Sequence, residues 1–309
     1  MKIGLFLALF SDLPLEETLD AAAAAGCAAV EIASRAESRH CRPAELLADA
    51  AARSRFTDAI AARGLEISAL SCHGNPIHPR SEIAEAADRD FRDTVALAAE
   101  LDVDTVVTFS GCPGESEHSL HASWITCSWP TEFPEVLEWQ WEERVLPYWA
   151  EASAFARDHG VRVAIEPHPG FVVYNTASML RLRSAAGEVV GVNFDPSHLF
   201  WQGMDPLACV PALAGGIFHV HAKDTAFDEG NLARNGVLEP LPSDRPAERS
   251  WSFRSVGEGH PMPFWRDFAH ALQAAGYDGA LSIEHEDPLL SRDDGLGVAV
   301  ATLREALGA

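Results

Sequence analysis

Four side chains that could bind a metal ion follow short apolar segments in the second half of the chain. They are Glu166, Asp195, His221 and Glu284. Three carboxylates brought together raise one another's pKa unless a cation neutralises their charge. One imidazole and three carboxylates without a thiolate suit a hard or borderline divalent ion. The residue types therefore predict a divalent metal site, with Mn²⁺ expected first, Mg²⁺ or Co²⁺ next, and Zn²⁺ also compatible.

The spacing of these four residues agrees with one shared site. Asp195 lies 29 residues after Glu166 and His221 lies 26 residues after Asp195, each about one strand-and-helix unit of a barrel. Glu284 follows 63 residues later, which is one such unit plus a long loop. Any one of these polar residues could instead cap a helix or form an ion pair at the rim, but four in register favour a metal.

Eight short apolar segments alternate with alanine-rich helical segments along the chain. The predicted strands cover residues 3–8, 29–33, 65–71, 105–109, 161–166, 190–195, 217–221 and 280–284. The predicted helices cover residues 15–25, 44–63, 81–101, 134–158, 176–184, 206–213, 263–275 and 297–307. This order predicts an α/β fold, namely a (β/α)8 TIM barrel that forms a single domain over residues 1–309.

An open, doubly wound sheet is the alternative architecture. It usually has a glycine-rich turn after its first strand, whereas residues 11–14 of this chain contain no glycine. Two long connections exceed those of a bare barrel: residues 111–133 after the fourth strand and residues 225–262 after the seventh. Both are predicted to lie on the face that carries the site.

The composition argues against several classes of function. The formal net charge is -23, so a phosphate backbone would be repelled and no nucleic-acid partner is expected. Six cysteines without a C-x-x-C pair predict reduced thiols and no disulfide framework. The apolar start is followed at once by Asp12, Glu16 and Glu17, which indicates a buried strand and not a signal peptide. No apolar stretch is long enough to span a membrane, so a cytoplasmic protein without a membrane partner is expected.

The same residues resemble a known family. The Glu, Asp, His, Glu set, with D-x-x-H at residues 195–198 and R-x-x-G-x-G at residues 254–259, is similar to the sugar phosphate isomerase/epimerase superfamily of xylose-isomerase-like TIM barrels. The resemblance implies that the four residues hold a metal, which grips two adjacent oxygens of a sugar or polyol. It also implies that Glu166 and Glu284 are catalytic and move protons on and off carbon, while His198 and Arg254 bind substrate oxygens.

One position departs from the ketose 3-epimerases of this group. Those enzymes tend to carry a second glutamate six residues after the first, and Val172 stands there in this chain. His168 would point to the same side of its strand as Glu166 and add an imidazole that binds substrate near the metal. Inosose dehydratases, and metal-dependent subunits that cleave 3-keto-glycosides by β-elimination, look similar at this point.

Other side chains give weaker signals. His73, after the third predicted strand, is interpreted as a catalytic base or a substrate contact. Lys223 shares the strand face of His221 and is interpreted as a substrate-binding group that neutralises residual negative charge, or as part of a rim ion pair. Four residues in the loop after the fourth strand have two open interpretations. They could form an aromatic lid over the substrate, or they could make a packing or subunit contact. These are His118, His121, Trp124 and Trp129.

The sequence therefore predicts a metal-dependent isomerase or epimerase that acts on a small sugar or polyol, with a metal-dependent lyase as the alternative. A DNA-repair endonuclease on the same barrel would need more metal ligands and a basic groove, and the net charge of -23 argues against it. A catalytically inactive barrel used for binding is a further alternative. The chain could also form a homo-oligomer or act with a partner subunit.

Overall fold

The aliphatic segments pair as parallel strands that close into a barrel in the computed structural model, which describes residues 1–308. The barrel strands are β1 (Lys2–Phe6), β2 (Ala29–Ala33), β3 (Glu66–Ser71), β4 (Thr105–Thr108), β5 (Arg162–Ile165), β6 (Val190–Phe194), β7 (Ile217–Ala222) and β10 (Ala280–Ile283). Their order around the barrel is β1-β10-β7-β6-β5-β4-β3-β2, and β1 also pairs with β2. The predicted fold is therefore confirmed, because all the predicted strands are present with bounds within about two residues.

Helices connect the strands and cover the outside of the barrel. They are α1 (Leu15–Ala25), α2 (Pro43–Ala48), α3 (Ala50–Ala61), α4 (Ser81–Glu100), α5 (Phe133–Trp139), α6 (Leu146–Asp158), α7 (Thr176–Ala186), α8 (Pro196–Trp201), α9 (Pro206–Ala212), α10 (Glu229–Asn235), α11 (Met262–Ala274) and α12 (Arg292–Leu307). Within residues 1–308, no helix combines the length and the apolar character that crossing a membrane requires.

Two helical stretches that the sequence pattern predicts as continuous are interrupted. The carboxylate of Asp49 accepts hydrogen bonds from the backbone N–H groups of Ala51 and Ala52 at 2.9 and 3.0 Å, so it caps α3 and separates it from α2. Between α5 and α6, the segment Gln140–Val145 is a π-helical turn, and Pro147, which lacks a backbone N–H, lies in the first turn of α6. Apolar periodicity continues through both breaks and therefore does not reveal them.

The connections near the barrel mouth contain elements that the sequence pattern does not predict. Helix α8 begins directly after Asp195, whose Oδ1 accepts a hydrogen bond from the backbone N–H of Ser197 at 2.8 Å. The long connection after β7 holds α10 and two further strands, β8 (Asp224–Phe227) and β9 (Trp251–Arg254). These two strands pair in antiparallel fashion as a ribbon separate from the barrel.

Side chains fill the barrel interior in layers. Phe218 packs against a small apolar cluster of Ala69, Val107 and Ala164. Gly191 leaves room for this ring, because a Cβ atom there would lie 2.5 Å from Phe218 ring carbons. Two residues further along three of these strands the inward positions are polar, namely Ser71, Glu166 and Asn193, which places the candidate site at the carboxyl end of the barrel.

The long loop after β4 is fastened to the segment after β5. Ser110 Oγ accepts a hydrogen bond from the backbone N–H of Val173 at 3.0 Å, and the Ser110 carbonyl accepts one from the indole N–H of Trp149 at 2.9 Å. The Val173 carbonyl in turn accepts a hydrogen bond from the backbone N–H of His168 at 3.0 Å. Ser110 is fully buried, so water does not compete for these bonds.

Candidate metal centre

The carboxyl ends of β5, β6, β7 and β10 bring the four predicted metal ligands together in the barrel mouth. One ligand atom from each of Glu166, Asp195, His221 and Glu284 lies within 4.8 Å of the others. His221 Nδ1 lies 3.2 Å from Glu284 Oε2 and 3.3 Å from Glu166 Oε2. The same nitrogen is 4.0 Å from Asp195 Oδ2. We refer to these four residues as the cage.

The donor set of the cage suits a divalent cation. Asp195 Oδ1 caps α8, whereas Oδ2 is buried and has no hydrogen-bond partner among residues 1–308, although the Lys223 ammonium is close by. His221 Nδ1 faces Glu284 Oε2 and Glu166 Oε2 at 3.2 and 3.3 Å, so it can act as a ligand atom once it has lost its proton. Buried acceptors that face one point need a cation between them. The residues present therefore fit a hard or borderline divalent ion.

Charges in and below the cage move pKa values in opposite directions. Burial by itself would raise the pKa of Glu166, but the nearby His221 and His198 help to lower it well below its usual range. Burial by itself would lower the pKa of His221, but the carboxylates of Glu31, Glu284 and Glu166 raise it well above its usual value. A metal ion that enters the cage must therefore displace a proton from His221.

Lys223 lies at the edge of the cage and forms ion pairs with two of its carboxylates and with Glu286 outside it. Its ammonium nitrogen is 2.5 Å from Glu284 Oε2, 3.1 Å from Asp195 Oδ2 and 3.0 Å from Glu286 Oε2. Burial raises the pKa of Asp195 to about 6, and the charge of Glu166 adds to this rise while Lys223 opposes it. Burial would lower the pKa of Lys223, but the surrounding carboxylates raise it well above its usual value. The ammonium thus offsets part of the negative charge of the cage.

Three predicted imidazoles lie around Glu166. His73 Nε2 is 3.2 Å from Glu166 Oε2, and His198 Nε2 is 3.2 Å from Glu166 Oε1. The rings of His168 and His198 lie 4.0 Å apart between centroids, and His168 Nδ1 donates a hydrogen bond to the carbonyl of Pro169 at 2.7 Å. Burial lowers the pKa of His168 and lowers the pKa of His198 to about 3, so both rings are neutral near pH 7. These rings can therefore exchange hydrogen bonds with substrate oxygens without carrying charge.

The structure does not bring Arg254 to the cage. Its Nε donates a hydrogen bond to Asp287 Oδ2 at 3.0 Å. The preceding residue, Phe253, points the other way, with its ring centroid 4.6 Å from Lys223 Nζ and 5.3 Å from the ring of His198. Because side chains alternate along a strand, the ribbon presents an aromatic ring to the cage and keeps the guanidinium on its other face. Substrate binding by Arg254 stays a prediction, and Phe253 is a contact that the sequence did not reveal.

The R-x-x-G-x-G segment closes around the carboxylate of Asp224. Asp224 Oδ2 accepts hydrogen bonds from the backbone N–H groups of Gly257, Gly259 and His260 at 3.1, 3.0 and 2.8 Å. A Cβ atom on Gly259 would lie 2.2 Å from the Thr225 carbonyl oxygen, so this position has no room for a side chain. The glycines of the motif thereby let the loop fold tightly onto β8, which fixes the ribbon over the cage.

Two buried polar residues beneath the cage were missed by the sequence analysis. Asn193 Nδ2 donates a hydrogen bond to Glu166 Oε2 at 3.0 Å. Glu31 is fully buried, and its Oε2 lies 2.9 Å from His221 Nε2. A weaker signal for both was available, because each is a polar residue within an otherwise apolar strand segment, whereas the predicted ligands stand at or near strand ends.

The four loop residues interpreted as an aromatic lid do not form one surface over the cage. Trp124 packs edge-to-face on Tyr174, with the ring centroids 5.4 Å apart. His118, His121 and Trp129 are exposed to solvent. A role for these residues in closing over a substrate therefore stays a prediction.

Residues 19–306 match the family model described as xylose isomerase-like TIM barrel. The chain belongs to this family. Among curated proteins, this xylose isomerase-like barrel is 35% identical to the uncharacterized protein YfiH of Bacillus subtilis (strain 168), over 99% of both chains. It is 36% identical to the rhizopine catabolism protein MocC of Rhizobium meliloti, over 49% of this chain and 44% of the other. It is 30% identical to the inosose dehydratase of Lacticaseibacillus casei, over 43% of each.

Solved structures share the fold of this xylose isomerase-like barrel along nearly its whole length. A structure of L-ribulose 3-epimerase has a TM-score of 0.66 and 19% identity, covering 99% of this chain and 96% of that one. A structure of IOLI protein with a binding zinc atom has a TM-score of 0.67 and 17% identity, covering 100% and 98%. These likenesses establish the fold, and the relatives with named reactions are enzymes, among them an epimerase and a dehydratase.

Proposed function

We propose that this protein is a divalent-metal-dependent isomerase or epimerase that acts on a sugar or polyol by proton transfer next to a carbonyl. The observation that carries the proposal is the convergence of Glu166, Asp195, His221 and Glu284 on one buried point, where their ligand atoms lie within 4.8 Å of one another. Two of these residues are glutamates, which can serve as proton carriers as well as ligands.

A divalent ion bound in the cage would supply a Lewis acid for adjacent substrate oxygens and the carbonyl. Mn²⁺ is the first expectation for an oxygen-rich set with one imidazole, and Zn²⁺ is also compatible, since zinc is bound in the IOLI structure of the same fold. The site lies at the carboxyl ends of the barrel strands, where small substrates of this fold are expected to enter.

The protein side chains provide the proton transfer and the hydrogen bonds. The lowered pKa of Glu166 keeps this carboxylate ionised at neutral pH, so it can accept a proton from the substrate carbon. In an isomerisation, Glu166 would return this proton to the neighbouring carbon. In an epimerisation, Glu284, which faces the same His221 nitrogen as Glu166, would first take up a proton from solvent and deliver it to the opposite face of the carbon, while Glu166 would release its own proton to solvent. Negative charge that develops on the substrate oxygen is stabilised by the buried ammonium of Lys223. His198 Nε2 lies 3.2 Å from Glu166 Oε1 without the geometry of a full hydrogen bond, so a substrate hydroxyl can become its partner.

A lyase of the same scaffold is the second candidate, and three observations favour it. Val172 is buried and offers no carboxylate at the position where ketose 3-epimerases tend to have glutamate. Lys223 Nζ lies 2.5 Å from Glu284 Oε2, and this ion pair disfavours protonation of the carboxylate and therefore its use as a proton donor. The chain is also 30% identical to an inosose dehydratase over 43% of its length. A single base, either Glu166 or His73, would then remove the proton and a hydroxyl or aglycone would leave.

The reaction can be identified by product analysis in deuterated water. The Mn²⁺-loaded protein is incubated with free ketoses, keto-inositols and a 3-keto-glycoside. Deuterium on carbon in an isomerised or epimerised product supports the isomerase, whereas an unsaturated or aglycone-free product supports the lyase.

Three variants test which residues carry the reaction. Glu166→Gln and His221→Ala are expected to abolish turnover, because each removes a ligand and the first also removes the base. His118→Ala, in an exposed loop, is the control and is expected at most to raise KM. A near-normal kcat in either of the first two variants would contradict the assignment of the cage.

A further inference from the structure

We propose that Glu31 is a positioning residue that holds the His221 ring by its Nε2–H and thereby directs the Nδ1 lone pair into the cage. The inference rests on the proposed metal-dependent function, but its central contact can be tested without it. Glu31 lies on β2, whereas His221 lies on β7, and the contact therefore crosses the barrel interior.

The carboxylate of Glu31 accepts hydrogen bonds from side chains on three other strands. Its Oε2 lies 2.9 Å from His221 Nε2 and 2.9 Å from His219 Nε2, and it accepts a hydrogen bond from Ser282 Oγ at 2.7 Å. Its Oε1 accepts a hydrogen bond from Ser71 Oγ and lies 3.1 Å from His221 Nε2. All of these residues are buried, so none of the bonds is shared with water.

The two nitrogens of His221 face different surroundings. A carboxylate oxygen can only accept, so Nε2 must carry the proton that lies between His221 and Glu31. On the other side of the ring, Nδ1 lies 3.2 Å from Glu284 Oε2 and 3.3 Å from Glu166 Oε2, with Asn193 Nδ2 3.2 Å away. The arrangement thus assigns one nitrogen to Glu31 and leaves the other for a metal.

Packing alone does not account for a carboxylate at this place. A buried charge is unfavourable unless it is fully hydrogen-bonded, and an apolar side chain of similar volume would serve a purely structural role as well. The negative charge has two consequences for His221: it fixes the ring orientation, and it makes Nδ1 a stronger electron donor. His219 shares the same oxygen of Glu31 and keeps the carboxylate in place without itself reaching the cage.

The inference can be tested with Zn²⁺ as the probe, in the full chain. In Glu31→Gln the amide no longer offers two acceptor oxygens, and Zn²⁺ affinity measured by competition with a chelator should fall by about 10- to 100-fold. Ser282→Ala is the matched control, because it removes one hydrogen bond to Glu31 and leaves both imidazole contacts intact. Its Zn²⁺ affinity should stay near that of the unaltered protein.

A spectroscopic measurement separates positioning from a general loss of structure. In protein labelled with ¹⁵N-histidine, the buried Nε2–H of His221 should give a slowly exchanging proton resonance, with and without Zn²⁺. This resonance should persist in Ser282→Ala, move upfield and exchange faster in Glu31→Gln, where only one neutral oxygen can accept, and recover in part in Glu31→Asp, which keeps the charge. Glu31→Asp also serves as the test variant if Glu31→Gln does not fold, with a smaller loss of affinity expected.

The outcomes are distinct. Unchanged Zn²⁺ affinity together with an unchanged resonance in Glu31→Gln would overturn the inference. If the unaltered protein binds no Zn²⁺ or other divalent ion, the proposed function fails and the metal-directed role of Glu31 fails with it. The resonance would then still report whether the Glu31 to His221 hydrogen bond exists.

Discussion

At the scale of single residues, the balance of charge in the cage depends on one ammonium group. The chain contains two lysines, and while Lys2 is exposed, Lys223 is buried between three carboxylates. Removing one partner of a buried ion pair leaves the other charge uncompensated, whereas exposed pairs contribute little. Lys223 therefore has a role that a surface lysine cannot have, because it holds the cage together when no metal is bound.

Replacing Lys223 by methionine tests this role. We expect Lys223→Met to lower the free energy of unfolding of the metal-free protein by about 3–5 kcal/mol, measured by urea denaturation. With Mn²⁺ bound the loss should be smaller, because the ion neutralises the same carboxylates. Lys2→Met, which breaks the exposed pair with Glu66, should change stability by less than about 1 kcal/mol. An equal loss for Lys223→Met with and without Mn²⁺ would contradict this interpretation.

The residue scale also shows what the sequence could reveal about the site. Glu166, Asp195, His221 and Glu284 were identifiable because each ends an aliphatic strand, and barrel geometry then brings strand ends together. Asp195 both caps a helix and belongs to the cage, although these were considered as alternatives. Its Oδ1 caps α8, whereas its Oδ2 faces the cage. Glu31 lies in the middle of β2 and outside the second half of the chain, where the motif resemblance was specific, so neither argument pointed to it.

At the scale of elements, the β8–β9 ribbon determines which side chain covers the cage. The ribbon consists of two four-residue strands, and the loop that follows it is held by backbone hydrogen bonds to Asp224. Such short strands leave no periodicity that could be read from the sequence. The family resemblance implied that Arg254 binds the substrate, which stays a prediction, and the observed register turns Phe253 toward the cage.

A methyl group at Gly259 should displace the ribbon. We expect Gly259→Ala to destabilise the protein by about 1–3 kcal/mol, because its Cβ would overlap the Thr225 carbonyl. Since the metal ligands lie at the strand ends of the barrel, Mn²⁺ affinity should be retained while KM for the substrate rises. Gly297→Ala, in an open position on α12, is the control and should be neutral or stabilising by up to about 1 kcal/mol. Loss of Mn²⁺ binding in Gly259→Ala would show that the ribbon supports the ligands themselves.

The barrel itself was predictable because its elements are long, regular and repeated. Each strand is a short aliphatic run and each major helix carries an apolar stripe, so the order of elements followed from pattern alone. Interruptions such as the cap at Asp49 depend on a single side chain meeting backbone N–H groups. Such local hydrogen bonding leaves the apolar pattern unchanged, which explains why α2 and α3 were predicted as one helix.

At the scale of the whole molecule, a bound metal should raise the stability of the fold, since the cage joins four strands of the barrel. At a free Mn²⁺ concentration 100 times Kd, the gain should be about 2.7 kcal/mol, and a chelator should abolish it. The gain should shrink as the pH falls, because protons compete for His221, whose pKa is raised, and below about pH 6 also for Asp195. Thermal unfolding at pH 8, 7 and 5.5, with Mn²⁺ or chelator, measures this difference. A gain that is independent of pH would contradict a site built from these two residues.

Ser110 connects the long loop after β4 to the candidate site through hydrogen bonds. This serine is bonded to the backbone of Val173, and Val173 is bonded to that of His168, so the chain of contacts from the outer loop to the imidazole has two links. A change of length or sequence in residues 111–131 that displaces Ser110 should therefore also displace the backbone of His168. Variation in this loop can thus alter the position of His168 without any change in the four residues of the cage.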